Sequence, residues 1–488
     1  MLRNYILWLL QFIFVSCTSS VTSTKSNIPK EIQGDRRLES YYTFIDTNMS
    51  GLFHLSENGD VKKDSGNVSE EIILKNIKLA YQSSKDLLDQ RIISESVFKE
   101  FVLPYRLNDS PIHDWRSYIW NIQKRRKIDG INSIGTLIDS CNSINNKLKI
   151  GFKFDLKNTY EDTLTINKIL DNKSGSCVTM ANYAGYVFRA LGIPVAIDFT
   201  PAWGNTPGGH VWNALITSDS SSIPFLGAEA NIGGYEPFYL FKMGDDSIKS
   251  TYKLPGKIYR RTYSVQKGTS YYKFDNQRNF LPMTVNSRMI DVTDQYFKVS
   301  DIILPLNRIK GNPNLLYISN YNNGKFVPVM AVERSKSYIF SKMNRNLLYY
   351  VSTYQENKDN TNEFPLFLDE SGHSIFLYAN FARRISITLD RTQSPEADQM
   401  DVLKNGWEVE ECTRIANGKI NSPPIPGKEY KLYFWDKKWV LGDKKLVGPS
   451  GSLIFDNIPT GTMYLLCEKE PTEKERPFIL YKDKIKWV

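Results

Sequence analysis

The sequence predicts an α+β fold with helices packed on an antiparallel sheet, followed by two small all-β sandwich modules. Three observations carry this: helical periodicity up to about residue 150, a helix followed by alternating strands from Cys177 onward, and a second half in which aromatics fall in period-two runs. The chain has 488 residues, 41% hydrophobic and 24% charged, enough for several cores. Its 62 Lys and Arg against 53 Asp and Glu give a net charge of +9, spread without a basic block. That distribution argues against a nucleic-acid partner.

At the N-terminus, "MLRNYILWLLQFIFVSC" places one cation, Arg3, before an apolar stretch that ends at Ser16 and Cys17. It reads as an export signal over residues 1–17, of lipoprotein type, with Cys17 as the lipidated residue and 18–35 as a polar tether. A plain signal peptide or an uncleaved anchor is the alternative. Residues 36–150 follow as a mainly helical region. "SEEIILKNIKLAYQSSKDLLDQ" repeats apolar residues at Ile73, Ile77, Ala80, Leu87 and Leu88 behind a Ser69 start that suits a cap. Pro104 and the turn Asn108 to Pro111 interrupt the next helix, and Trp115, Ile119 and Ile122 restart it.

"SGSCVTMANYAGYVFRALGIPV" then sets Cys177 at the start of a helix whose face runs through Ala181, Ala184, Phe188 and Leu191, with Gly192 closing it before the strand "IPVAIDF". A thiol in the first helical turn lies near unpaired N–H groups and the positive end of the helix dipole, which favours thiolate. A buried core cysteine is the alternative reading of the same pattern. Across the loop "TPAWGNTPGG", His210 opens a strand that puts Trp212, Ala214 and Ile216 on its own face and Val211, Asn213 and Leu215 on the other. Thiol and imidazole can meet there, the ring acting as base.

A third group would orient the ring. Asn213 faces away from His210 on a regular strand, and Asp219 lies in a turn. Glu229, expected on the neighbouring strand, is preferred, with Asp198 as the alternative.

These residues resemble the transglutaminase-like superfamily, whose fold is papain-like. "GSC" at a helix start, "ALGIPV" at its end, "GGHVWNALI" on the next strand but one and an acidic residue beyond it carry the resemblance, together with "LPYR", "WR" and "KIYRRTY". In particular the chain is similar to bacterial transglutaminase-like lipoproteins of the Bacteroidetes type. The resemblance covers roughly residues 60 to 265 and places the core at 151–265. It implies Cys177 as nucleophile, His210 as base and the acidic position at Glu229, where the family more often has Asp. It also implies an oxyanion hole made by the Cys177 N–H and an upstream donor. Trp115, Trp203 and Trp212 are candidates for the substrate cleft, and Arg106 and Arg116 for structural ion pairs.

The C-terminal half aligns with itself: Leu316-Tyr317 with Leu432-Tyr433, Ile339-Phe340 with Ile454-Phe455, and Tyr349 with Tyr464. This predicts sandwich modules over 290–390 and 425–488, either spacers or binders of glycan or peptide. Cys141, Cys177, Cys412 and Cys467 lack any CxxC spacing and read as free thiols. No metal and no cofactor are expected. The function expected is peptide or amide hydrolysis through a Cys177 thioester, on a protein, peptide or peptidoglycan-type substrate, by an exported enzyme lipid-anchored in the bacterial cell envelope, the outer membrane in particular. The alternatives are a catalytically silent surface lipoprotein and true acyl transfer.

Overall fold

The computed structural model describes residues 28–122, 130–155, 164–218, 221–234, 253–266, 287–311, 313–353, 364–398, 422–472 and 475–488. Cys17, Cys412, Asp219, the signal and most of the tether lie outside them.

The N-terminal third is helical because each helix has its own cap and apolar face. Helix α1 (Arg36–Met49) starts at Asp35, whose carboxylate accepts from the Arg37 and Leu38 N–H groups. A hairpin of β1 (Phe53–Leu55) and β2 (Val61–Lys63) leads to α2 (Glu70–Asp89), capped by Ser69 and buried through Leu74, Ile77, Ala80, Leu87 and Leu88. Then come α3 (Glu95–Phe101), α4 (Trp115–Ile122), α5 (Ile134–Gly151) with a Ser133 capping box, β3 (Lys153–Phe154), α6 (Ile166–Asn172) and β4 (Ser174–Gly175). The two arginines of the "LPYR" and "WR" motifs are both buried but differ in chemistry. Arg106 pairs with Asp64 at 2.8 Å, in a cluster where His54 and Tyr105 also bond that carboxylate. Arg116 meets no carboxylate among its hydrogen bonds: it donates to Asn76 Oδ1 and to the carbonyls of Val102, Pro104 and Arg189, so it ties helix ends together and is not the expected ion pair.

Helix α7 (Cys177–Ala190) lies at the centre, against α2, α4, α5 and α6 on one side and the sheet on the other. Its residues from Thr179 to Ala190 are therefore buried all round, where the sequence pattern predicts a single apolar face. Gly192 ends the helix with φ +83°, and a Cβ there would stand 2.4 Å from the Ser83 carbonyl oxygen of α2, so only glycine fits.

The sheet has the order β7-β6-β5-β8-β9, entirely antiparallel, from β5 (Val195–Thr200), β6 (His210–Ser218), β7 (Ser221–Phe225), β8 (Tyr259–Arg261) and β9 (Met289–Asp291). Register pairs Thr200 with His210 and Asp198 with Trp212. Val178 and Ala181 of α7 pack on Ile197, Phe199 and Val211, so the helix covers the face that carries Val211.

After α8 (Thr293–Tyr296), the described residues are mainly β. In the first module β10 (Val299–Pro305) pairs with β13 (Ser337–Asn344), beside a sheet β12-β11-β14-β15-β16 built from Lys325–Glu333, Leu315–Asn322, Leu347–Thr353, Phe364–Leu368 and Ser374–Phe376. In the second, β17 (Asn380–Leu389) pairs with β20 (Leu453–Thr460), beside β19-β18-β21-β22-β23 from Trp439–Leu446, Glu429–Trp435, Met463–Cys467, Pro477–Tyr481 and Lys484–Trp487. The strand at 380–389, which the sequence boundary assigns to the first module, belongs by its pairing to the second. Each module has its own core, and Tyr321, Leu348, Phe367, Met463 and Ile479 join them. The first is also bonded to the helix–sheet core: Tyr259 donates to the Val329 carbonyl at 2.6 Å, and buried Lys257 bridges Asp291 and the Ser341 carbonyl.

Candidate functional site

Local packing puts Cys177 where it stands. Thr179, in the first turn of α7, leans on Gly175, where a Cβ would come within 2.6 Å of the threonine Cβ; the chain therefore turns from β4 into the helix at close quarters. Met180 N–H donates to the Ser176 carbonyl at 3.0 Å and begins the helical ladder, which leaves the N–H groups of Cys177, Val178 and Thr179 ahead of it. The backbone N–H groups of Val211, Val178 and Cys177 itself act on the thiol and favour its ionised form, while burial is the larger effect and pushes the thiol up. Val211 immediately follows His210, so the thiol lies at the mouth of β6.

The His210 ring packs between indoles. Its centroid is 5.7 Å from that of Trp212, nearly parallel at 29°, and 5.9 Å from that of Trp203. Burial, with help from the Lys253 charge, brings the imidazole down to about 3, so the ring is neutral at ordinary pH. A neutral ring is the form that can accept a proton.

Two of the three cleft candidates, Trp203 and Trp212, are thus beside His210. Both are almost fully buried. Trp115 is elsewhere: its indole N–H donates to the Tyr105 carbonyl at 2.7 Å and its ring meets Tyr186, nine residues along α7 from Cys177 and so about 13 Å away by helical rise.

Glu229 lies in a turn after β7, which ends at Phe225, and not on a strand. The turn closes by the Ala230 N–H donating to the Leu226 carbonyl at 2.8 Å, and Asn145 of α5 holds it by accepting from Ala228 N–H and donating to the Ala230 carbonyl. Glu229 is exposed as a residue, yet its carboxyl is desolvated enough to be raised, with Lys253 and Lys149 opposing. Asp198 is fully buried and engaged: Arg260 donates to both of its oxygens at 2.8 Å, and Tyr296 of α8 donates to Oδ2 at 2.6 Å. Trp212 Nε1–H in turn donates to the Tyr296 hydroxyl at 3.0 Å. Asp198 is therefore linked to the indole that stacks on His210. Asn213 faces α7 as expected, donating to the Ala181 carbonyl and accepting from Gly227 N–H.

Sequence reasoning missed Tyr296, Arg260 and Lys253. Arg260 lies in the quoted "KIYRRTY", but nothing local marks Tyr296 or Lys253, which reach the site from sequence distances of tens of residues. Among the described residues no group of three His, Cys, Asp or Glu is placed to hold a metal, and no helix is long and apolar enough to cross a membrane. Cys141 and Cys467 are buried free thiols.

The Cys177 thiol thus stands at a helix start, near the opening of the antiparallel strand that His210 begins. Residues 128–225 match the family model of the transglutaminase-like superfamily, and the core of this chain is transglutaminase-like. That segment contains Cys177, Asp198 and His210. Among solved structures, red sea bream transglutaminase is similar at 10% identity with a TM-score of 0.18, over 88% of this chain and 75% of that one, a likeness too weak to carry argument. No curated protein matches.

Proposed function

We propose that this chain is a thiol enzyme that hydrolyses a peptide or amide bond through a thioester on Cys177. The observation that supports it best is the placing of the Cys177 thiol at the N-terminus of α7, against the N–H of Val211, the residue next to His210. In the acylation step the neutral His210 ring takes the thiol proton as sulfur attacks the carbonyl carbon. The imidazolium then protonates the leaving amine as the C–N bond breaks. The N–H groups at the start of α7, which already lie against the sulfur, suit the oxyanion that forms between these events. Water, activated by the same ring, then cleaves the thioester.

The export signal and Cys17 support a setting in the bacterial cell envelope, with a protein, peptide or peptidoglycan-type substrate. Acyl transfer to an amine would use the same intermediate. A silent binding role is the second reading, favoured by the burial that raises the thiol. Labelling with a thiol-directed acyl probe decides between them: the intact protein labels at Cys177, and Cys177→Ala abolishes labelling. His210→Ala slows it by about two to four powers of ten, the size of general-base assistance. Absence of labelling at any pH, with the chain folded, overturns the enzyme reading.

A further inference from the structure

We infer that Tyr296 is a positioning residue for His210: its hydroxyl pins the Trp212 indole, on which the imidazole stacks, to the buried pair of Asp198 and Arg260. This rests on the reading of His210 as the base that serves Cys177. Strand register sets the row of residues beneath the tyrosine. Trp212 of β6 stands opposite Asp198 of β5, and Asp198 stands opposite Arg260 of β8, so the three lie side by side across the sheet. His210 is two residues before Trp212 on the same strand and shares its face. Helix α8 brings Tyr296 onto this row, and its other residues are fixed by bonds of their own. Thr293 Oγ1 accepts from the Ile258 N–H at 2.9 Å and donates to Asp291 Oδ1 at 2.6 Å, and Gln295 Oε1 accepts from the Ser222 hydroxyl of β7 at 3.0 Å.

An indole N–H can only donate, so the 3.0 Å bond from Trp212 Nε1 uses the Tyr296 oxygen as its acceptor. The single hydroxyl proton of the tyrosine is then left for Asp198 Oδ2, at 2.6 Å. The bonds therefore run in one direction, from indole to tyrosine to carboxylate, and end on an ion pair in which Arg260 donates to both oxygens at 2.8 Å. Trp212 and Asp198 are fully buried, where such bonds are stronger than in water and polarise one another. The Tyr296 ring also meets the indole edge-on, with centroids 5.7 Å apart. The indole thus has a fixed seat, and the imidazole that stacks on it at 5.7 Å is held by that seat. The hydroxyl acts on geometry: it sets where the ring that takes the thiol proton stands.

The full chain is tested with p-nitrophenyl acetate. Its acetyl group passes to the Cys177 sulfur as the C–O bond to nitrophenolate breaks, and water assisted by His210 then cleaves the thioester and restores the thiol. The initial burst of nitrophenolate counts competent sites, and the steady rate, taken over that of Cys177→Ala, reports the base-assisted cycle. Tyr296→Phe keeps the ring and removes the hydroxyl. Its steady rate falls about tenfold, the rate equivalent of one hydrogen bond, with the burst undiminished. Trp212→Phe, which keeps a ring against His210 without the N–H, falls alike, and the double variant falls no further, since the two groups make one contact. An unchanged rate in Tyr296→Phe overturns the proposal. So do a burst and a rate that fall in proportion, which mark a fraction of unfolded chains, and losses that multiply in the double variant, which separate the tyrosine from the indole. If Tyr296→Phe does not fold, Trp212→Phe decides by the same burst and rate. Wild type that carries no acetyl on Cys177 by peptide mass overturns the nucleophile reading and this inference with it, and a rate that survives His210→Ala does the same to the base reading. An acetylated, His210-dependent wild type beside an unaltered Tyr296→Phe removes this inference alone.

Discussion

The two β modules share a strand order, and both bury a tyrosine that donates to the carbonyl five residues before it, Tyr349 to Asn344 and Tyr464 to Pro459, each at 2.7 Å. Yet they reach the loop that precedes His210 by different chemistry. The first uses a neutral side chain. Asn322, at the end of β11, donates to the carbonyls of Trp203, Thr206 and Gly208 and accepts from Gly208 N–H, all within 3.1 Å. The second uses charge. Arg476 donates to the carbonyls of Gly204, Tyr321 and Val488, and Glu396 lies 3.5 Å from Asn205. A repeated topology thus sets where each module sits, while single side chains decide what each does. Both modules help to frame Trp203 and His210, which a spacer role does not require.

Breaking the neutral link carries the largest expected effect. Asn322→Ala strips the Gly208 N–H and the carbonyls of Trp203 and Thr206 of this partner, while the Gly208 carbonyl keeps the Trp203 N–H, at about 2 kcal/mol of stability. If the loop positions Trp203 and His210, kcat/KM for amide hydrolysis also falls by about a hundredfold, the scale of misplacing groups by an ångström. Urea unfolding and steady-state kinetics measure the two. A stability loss with unchanged kcat/KM would show that the loop holds its shape without Asn322.

Arg476→Met comes next and sharpens the contrast. It too removes donors from three carbonyls. However, burial already opposes the guanidinium charge, whose pKa is pushed down, so replacing it by an apolar group of similar length recovers part of the loss. The expectation is about 1 kcal/mol, less than for Asn322→Ala. The reverse order in urea unfolding would mean that the charged link is the stronger of the two.

How much of this was legible in the sequence follows from the range of each interaction. The helices of the first third, the start of α7 at Cys177, the strand at His210 and the alternation of the modules are set by periodicity and turn residues a few positions apart, and these the sequence displays. Glu229 was misplaced from its strand because β7 stops at Phe225, where Asn145, more than eighty residues earlier, captures the chain in a turn. Asp198 reads as a free acid until Arg260 and Tyr296 are brought to it by β8 and α8. Asn322 and Arg476 carry no local signal for their links to the loop, since the groups they meet there are backbone atoms more than a hundred residues earlier.

The smallest expected effect is on pH dependence, and it separates the modules by whether their link titrates. Asn322 has nothing to titrate. Glu396 does: burial holds its carboxyl above the ordinary value of 4.5, with its own backbone N–H and Arg476 opposing. The sign is then fixed. In the folded chain the ionised form is disfavoured, so its cost is fully present above the folded pKa and is relieved as pH falls from there towards 4.5. Wild type should gain stability from this group on acidification through that window. Glu396→Gln, which keeps the shape without the charge, should lack that gain while Asn322→Ala retains it. Melting temperature against pH for the three proteins tests this, and parallel curves for wild type and Glu396→Gln would remove the carboxyl from the account and leave the charged link to Arg476 among the described residues.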